Sequence, residues 1–241
     1  MRTLRRILLL AFASAPFAVG HAAAPALEDD GMQLYYLVFL RPDPGRRHIE
    51  RAEGERIQSA HMANIQKMAQ DGVLVAAGPM DDQPTTISGI FVFRAETLAE
   101  AQRIAALDPT VAERRNTVDV HPWLGPKGIG AAYFRWKKED PGGKVVMAAH
   151  AFFILRRGAA GGSDPRADGE HARFVDSLRR AGALAAAGWI YGDPDLCAIC
   201  VFKTSSAEEA KRTIGQDPAV QSGRLTAEFH TWWCADRVLP W

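Results

Sequence analysis

Two histidines and two aspartates recur in this chain at matching positions. The spacing His-x10-Gly-x5-Gly occurs at His61 and again at His171, and the pattern Asp-Pro-x-Val occurs at Asp108 and again at Asp217. A neutral histidine oriented by a carboxylate is an effective general base near neutral pH, because the imidazole pKa already lies there. The recurring residues therefore predict proton transfer, such as removal of a proton next to a carbonyl or a leaving group.

Arginines near the histidines are candidates for binding an anionic substrate. Arg56 and Arg166 each lie five residues before one of the two histidines, and a guanidinium can bind a carboxylate through two hydrogen bonds. Arg115 and Arg224 also recur and are weaker candidates for the same task. No His/Glu pair has metal-ligand spacing, so we expect neither a metal site nor a cofactor.

The recurrence extends over most of the chain. The histidine segments are 110 residues apart, and the segments downstream of them are 109 residues apart. A repeat of this length is too long for a solenoid unit and has the size of a small domain. We predict two like-folded domains over residues 32–124 and 147–241, joined by a linker over residues 125–146.

Each copy has the order β-α-β-β-α-β. Apolar residues have helical spacing over residues 56–70 and 168–181, and dense apolar runs indicate strands such as 33–40 and 87–93. The second helix of each copy ends before an Asp-Pro pair, and residues 131–137 are ambiguous. This order predicts an α+β fold in which a four-stranded antiparallel sheet carries both helices on one face. Two such ferredoxin-like units would cover each other's bare sheet faces as a pseudo-dimeric α/β barrel.

The ordered pattern resembles the YCII-related (YciI-like) domain, through His-x10-Gly-x-Leu-x-x-Ala-Gly-Pro, a Glu-Ala helix, Asp-Pro-x-Val and a terminal Pro-Trp. The first copy carries all of these elements. The second copy keeps most of them but has Trp189 in place of the proline and ends Thr231-Trp232. The resemblance implies a dimeric α/β barrel and a pocket near His61 and Asp108, and near His171 and Asp217. It also implies activities similar to those of small lyases, such as dehydrochlorinases of hydroxylated aromatics, and the fold hosts muconolactone isomerases.

Two functions from different classes follow. The first is a cofactor-independent lyase or isomerase acting on a small anionic or aromatic compound, with His61 or His171 as the base. The alternative is a non-catalytic module that binds a small apolar ligand or is purely structural, in which the histidines only pack. A division of labour, with one active pocket, is a third interpretation, because the second copy has lost the proline at position 189. The recurring His121 and His230 are expected at a domain surface.

The N-terminus has the features of a secretory signal peptide. Arg2, Arg5 and Arg6 precede a short apolar run, and small residues follow up to position 24. We therefore expect a signal peptide over residues 1–24, an exported (secreted or periplasmic) protein, and no stable membrane insertion after processing. The net charge of +1, with both signs interspersed, argues against nucleic-acid binding. A small molecule is the expected partner, and homodimer formation is left open.

The pair Cys197-x-x-Cys200 has the spacing of a redox motif but lies in an apolar run typical of a strand. Residues three apart on a strand point to opposite faces, so the two sulfurs would not meet. The first copy has Ser88 and Phe91 at these positions. We interpret both cysteines as small core residues, and Cys234 stays unplaced.

Overall fold

The computed structural model describes residues 31–81, 84–160 and 169–241. The first repeat comprises β1 (Met32–Pro42), α1 (Arg51–Gln70), β2 (Leu74–Pro79), β3 (Gly89–Phe93), α2 (Leu98–Ala106), α3 (Pro109–Ala112) and β4 (Asn116–Pro126). Helix α4 (Ala131–Glu139) joins it to the second repeat. That repeat comprises β5 (Met147–Arg157), α5 (Gly169–Arg180), β6 (Leu184–Ile190), β7 (Leu196–Phe202), α6 (Ala207–Ile214), α7 (Pro218–Gln221) and β8 (Leu225–Ala235).

The β-α-β-β-α-β order is present in both repeats, and the predicted fold class is confirmed. Apart from strand ends that differ by one or two residues, three details differ from the sequence-based expectation. Helix α1 begins five residues earlier, because its largely exposed first turn carries no apolar periodicity. The ambiguous linker segment is helix α4. The Asp-Pro pairs begin short helices rather than only ending longer ones, because Asp108 and Asp217 are N-caps with proline directly after them.

All eight strands belong to one curled antiparallel sheet. Its order is β2-β3-β1-β4-β6-β7-β5-β8, and the bridge between Met80 and Trp232 joins its two ends. The repeats therefore meet at two equivalent seams, β4 with β6 and β8 with β2. Such closure removes the exposed sheet edges of each four-stranded unit.

The alternation of residues along each strand separates three cores. In β1, Tyr35, Leu37 and Phe39 point into the barrel and join the central cluster, whereas Tyr36 and Val38 pack under the helices. The central cluster also contains residues of the second repeat, among them Phe152, Ile154 and Trp232. Neither repeat could bury this inner face alone, which gives the duplication a physical reason.

The two glycines of the repeated spacing have different roles. Gly72 and Gly182 follow α1 and α5 with φ of +76° and +73°, the left-handed conformation that commonly ends helices. Gly78 and Gly188 lie at the seams. A Cβ atom at Gly78 would lie 1.7 Å from the backbone oxygen of Trp233, and one at Gly188 would lie 1.9 Å from that of Leu124. Only glycine permits this approach of the two repeats.

We predict that Gly78→Ala destabilises the protein far more than Gly72→Ala. The first change forces backbone apart at a seam and should cost about 3 kcal/mol. The second only strains φ and should cost about 1 kcal/mol. Urea denaturation followed by tryptophan fluorescence measures both.

The control is Gly142→Ala, since the nearest atom to an added Cβ there is 3.9 Å away; its effect should stay within about 0.5 kcal/mol. Equal losses for Gly78→Ala and Gly142→Ala would show that the seam tolerates a side chain.

Candidate functional site

His61 and Asp108 are in direct contact, although 47 positions separate them in the chain. Helix α1 carries His61, and Asp108 caps α3 at the end of the same repeat. The Nδ1 atom of His61 lies 2.8 Å from Oδ2 and 3.0 Å from Oδ1 of Asp108. Because a carboxylate only accepts hydrogen bonds, Nδ1 carries the hydrogen and Nε2 of the neutral ring is left as an acceptor.

The Asp108 carboxylate is buried and surrounded by donors. The Thr110 backbone N–H donates to it at 3.0 Å, the Thr110 hydroxyl at 2.6 Å and the Asn64 amide at 3.1 Å. Burial by itself would raise the pKa of Asp108, but the hydrogen bonds from His61, Thr110 and Asn64 outweigh it and the pKa lies below its ordinary value. The carboxylate is therefore ionised at neutral pH and can stabilise a protonated His61.

A chain of polar side chains supports this carboxylate. The side-chain amide of Asn116 on β4 donates to the Thr110 hydroxyl at 3.0 Å, and the Ser88 hydroxyl donates to the side-chain oxygen (Oδ1) of Asn116 at 2.9 Å. On its other side the His61 ring stacks on Phe91, with ring centroids 5.8 Å apart. These contacts hold the imidazole at one position and orientation.

His61 lines a cavity of about 560 Å³ between α1, the sheet and the inter-repeat linker. Its side chain is 16% exposed, and within the described residues its Nε2 atom has no hydrogen-bond partner. The wall is mainly apolar and includes Phe91, Tyr133 and Phe134. No Asp, Glu, Lys or Arg belongs to the part of the wall that the structure describes.

The second repeat contains an equivalent pair. The Nδ1 atom of His171 lies 2.5 Å from Oδ2 of Asp217, whose other oxygen accepts from the Ala219 backbone N–H at 2.9 Å. His171 lines a smaller cavity of about 400 Å³, together with Trp189 and Trp241. Its side chain is only 3% exposed, and the Trp189 ring lies 4.9 Å from the imidazole, centroid to centroid.

The two sites differ in the groups around the dyad. Five residues of the first site support the dyad: they bind Asp108, continue the hydrogen-bond chain or stack on the imidazole. Each has an apolar or thiol counterpart in the second site. The pairs are Asn64 and Phe174, Thr110 and Ala219, Asn116 and Leu225, Ser88 and Cys197, and Phe91 and Cys200. The second dyad has thus lost the polar network and most of its solvent access.

The described arginines predicted to bind an anionic substrate do not line the first cavity. Arg56 lies outside the cavity wall, with its side chain 60% exposed and its guanidinium 2.9 Å from Glu113. Arg224 pairs with Glu170 at 3.0 Å, and Arg115 donates to the backbone oxygen of Arg47. Arg166 lies outside the described residues. The structure therefore brings none of the three described arginines into the first cavity.

The terminal histidines lie at the barrel seam rather than on a free surface. His121 Nε2 is 2.8 Å from Oδ1 of Asp119 on its own strand, without the alignment of a hydrogen bond. Its Nδ1 is 3.5 Å from Asp193 of the second repeat. In the second repeat, His230 contacts Glu228 at 3.0 Å, and Glu228 accepts from Arg156. Of these contacts, the one between His121 and Asp193 joins the two repeats, whereas His230, Glu228 and Arg156 all belong to the second repeat.

All three cysteines are buried thiols, and none forms a disulfide within the described residues. Cys197 and Cys200 lie on β7 as predicted. Burial raises the pKa of the Cys200 and Cys234 thiols to about 12, so both stay protonated at neutral pH. The described residues contain no group of three potential metal ligands. Within the same part of the chain, no helix is long and apolar enough to span a bilayer.

Comparison with known structures places the fold in the dimeric α/β barrel class. Two variants of chlorite dismutase from Candidatus Nitrospira defluvii align at TM-scores of 0.51 and 0.53 with 13% and 12% identity, covering 85% and 88% of this chain and 92% and 93% of theirs. A monooxygenase candidate from Lactobacillus acidophilus aligns at 0.42 with 14% identity, over 83% of this chain and 93% of its own. At these sequence identities, the first two alignments show similarity of fold alone. The third, with a TM-score of 0.42, supports no conclusion.

A family model identifies the first repeat more specifically than the fold class does. Residues 34–124 match the model of the YCII-related domain. The first repeat, which contains His61, Asp108 and their polar network, is thus a YCII-related domain, as its sequence pattern predicts. A comparison with curated proteins finds no match.

We predict that Asp108→Asn destabilises the protein at neutral pH. The variant should also lose less of its free energy of unfolding than wild type does as the pH falls. Because the folded-state pKa of Asp108 is lowered, its charge contributes stability above the unfolded-state pKa of about 3.9. That contribution is lost as the pH falls through the lower folded-state value. Asparagine keeps the helix cap, so the loss at pH 7 should be about 2 kcal/mol, as for charged hydrogen bonds.

Urea denaturation at pH 7, 5, 4, 3 and 2 measures this effect, and the difference from wild type should shrink toward pH 2. Exposed Asp71, paired with Lys67, supplies the control Asp71→Asn, with an effect below about 0.5 kcal/mol at pH 7. A loss that stays constant over the whole pH range would contradict the assignment of this charge to Asp108.

Proposed function

We propose that the chain is a cofactor-independent lyase or isomerase whose general base is His61. One observation carries the proposal: Asp108 holds Nδ1 of His61, while Nε2 has no partner among the described residues and the ring lines a cavity of about 560 Å³. A base of this kind needs an oriented imidazole, an accessible nitrogen and a counter-charge for the protonated state. The first repeat supplies all three.

The reaction begins when Nε2 of His61 takes a proton from a carbon atom of the substrate. The electron pair of the broken C–H bond either moves toward a neighbouring carbonyl or expels a leaving group. Ionised Asp108 stabilises the imidazolium that forms. The imidazolium then returns its proton to another substrate atom in an isomerisation, or to the leaving group or solvent in an elimination.

The cavity favours a small, neutral, apolar or aromatic substrate. A volume of about 560 Å³ lies in the range of small-molecule sites, and aromatic side chains such as Phe91 and Phe134 offer flat surfaces to an aromatic ring. A bound anion would lack a compensating cation in the described wall, and an unpaired charge is costly to bury. The structure thus supports the aromatic part of the expected substrate class rather than the anionic part.

The second repeat fits the non-catalytic alternative. His171 is almost fully buried and lies under Trp189, and Asp217 accepts only from His171 and the Ala219 backbone N–H in the described residues. We assign this dyad a packing role: Asp217 caps α7, and His171 connects that cap to α5. The division of labour considered from the sequence is therefore the preferred form of the proposal.

We predict that His61→Ala lowers base catalysis about 100-fold or more, whereas His171→Ala leaves its rate near wild type. The probe is 5-nitrobenzisoxazole, a neutral aromatic compound. A base removes its ring C–H proton, the N–O bond breaks, and a coloured phenolate forms. The rate in wild type should rise with pH as His61 loses its proton, since only the neutral imidazole accepts a proton from the probe.

The matched control is His48→Ala, because His48 is an exposed histidine outside the cavity. Circular dichroism establishes that each variant is folded. If folded His61→Ala opens the probe as fast as wild type, His61 is not a base. If the probe binds without reacting in either protein, the ligand-binding alternative replaces the enzyme proposal.

We also propose that the protein is exported. The supporting observation is the N-terminal pattern of Arg2, Arg5, Arg6, an apolar run and small residues, which lies outside the described residues. We predict that the chain recovered after expression with its native leader in a bacterial host lacks about the first 24 residues. Intact-mass measurement of the periplasmic fraction tests this, and a full-length chain in the cytoplasm would contradict it.

A further inference from the structure

We propose that Tyr133, on the helix between the two repeats, donates a hydrogen bond to the substrate in the first cavity. The inference rests on the proposed function of His61 and adds the second chemical group of that site. Removal of a proton next to a carbonyl places negative charge on an oxygen atom, and catalysis requires a donor aimed at that oxygen. Because the described wall holds no Lys or Arg, the donor there must be a neutral N–H or O–H group.

Three side-chain hydroxyls belong to the cavity wall, those of Ser88, Thr110 and Tyr133. The first two donate their hydrogens inside the network that supports Asp108, Ser88 to Asn116 and Thr110 to Asp108. The Tyr133 hydroxyl has no hydrogen-bond partner in the part of the chain that the structure describes. It is therefore the hydroxyl of this wall that remains available to a ligand.

The amides of Gln58 and Gln66 are less suitable donors. Both glutamines lie on α1 and are exposed at the rim, whereas Tyr133 is half-buried. Burial raises the pKa of the Tyr133 phenol above its ordinary value, so the group keeps its proton at neutral pH. A phenol can also transfer that proton to a developing alkoxide or phenolate, which an amide cannot do.

Contacts on several sides position Tyr133. Its ring packs against Phe134, with centroids 5.5 Å apart, and against Trp136, with centroids 5.8 Å apart. Helix α4 begins at Gly130, whose backbone N–H donates to the Val238 oxygen at 2.7 Å. The guanidinium carbon of Arg237 lies 5.0 Å from the Trp136 ring centroid. The C-terminal segment of the second repeat thus fixes the helix that completes the first cavity.

Among the described residues, the second cavity has no hydroxyl equivalent to that of Tyr133. Its described wall includes no serine, threonine or tyrosine, and Trp241 lines it together with Trp189. Its wall contains the Arg179 guanidinium instead, which pairs with Asp176 at 2.8 Å and lies 5.9 Å from the Trp241 ring centroid. The packing role of His171 therefore rests on its burial, since its side chain is only 3% exposed.

The test compares wild type, Tyr133→Phe and the control Tyr191→Phe, since Tyr191 lines neither cavity. The probes are 5-nitrobenzisoxazole and unsubstituted benzisoxazole. Tyr133→Phe should slow ring opening about 10-fold or more, and the loss should be larger for benzisoxazole, because its leaving oxygen develops more negative charge. A purely structural role would slow both probes equally, and Tyr191→Phe should leave both rates unchanged.

Binding of 4-nitrophenolate, followed by its visible absorbance, tests the donor without any turnover. Wild type should bind it at least about 10-fold more tightly than Tyr133→Phe, and His61→Ala should retain the Tyr133-dependent difference. If Tyr133→Phe matches wild type in binding and in the rates of both probes, the Tyr133 assignment is wrong even when His61→Ala is inactive. If His61→Ala retains full activity but Tyr133→Phe loses phenolate affinity, the base assignment fails and the donor assignment stands.

Discussion

The closed barrel and the walls of both cavities depend on the close approach of two backbones at each seam. At one seam Gly78 lies against the Trp233 carbonyl, and at the other Gly188 lies against that of Leu124. If these approaches were blocked, the inner faces of both repeats would be exposed, because the central cluster draws its residues from both repeats. The same seams form part of the cavity walls, since Gly78 and Gly188 each line one of the two pockets. Closure of the barrel therefore also forms part of the wall of each cavity.

The carboxylate of Asp108 also combines a structural and a chemical role. It caps α3 through the Thr110 backbone N–H and orients His61 through Nδ1. Because the cap requires an ionised or hydrogen-bonding side chain in any case, the orienting group needs no additional residue. The second repeat keeps the cap and the histidine contact. This conservation of geometry without the surrounding polar network shows that the dyad alone does not define a reactive site.

Asymmetry between the repeats arises from a few substitutions and from the linker. Thr110 and Asn116 have Ala219 and Leu225 as counterparts, so the hydrogen-bond chain is absent from the second site. The linker places α4 and Val145 beside the first cavity, while Trp241 lies at the second. A duplication that builds a symmetrical barrel thus yields two unequal pockets, because the covering segments are not part of the repeat.

The repeated histidine, glycine and aspartate spacing determined the fold class, the strand and helix order and the pairing of His61 with Asp108 through the family resemblance. Such features are readable because strands, caps and turns depend on local spacing. The tertiary structure alone decided which groups share a cavity. It brought Ser88, Asn116 and Tyr133 to His61 from separate elements, and it left Arg56 outside on an ion pair with Glu113. It also revealed why Gly78 must be glycine, because the clashing atom lies 155 positions away in the other repeat. No local pattern encodes a contact of that kind.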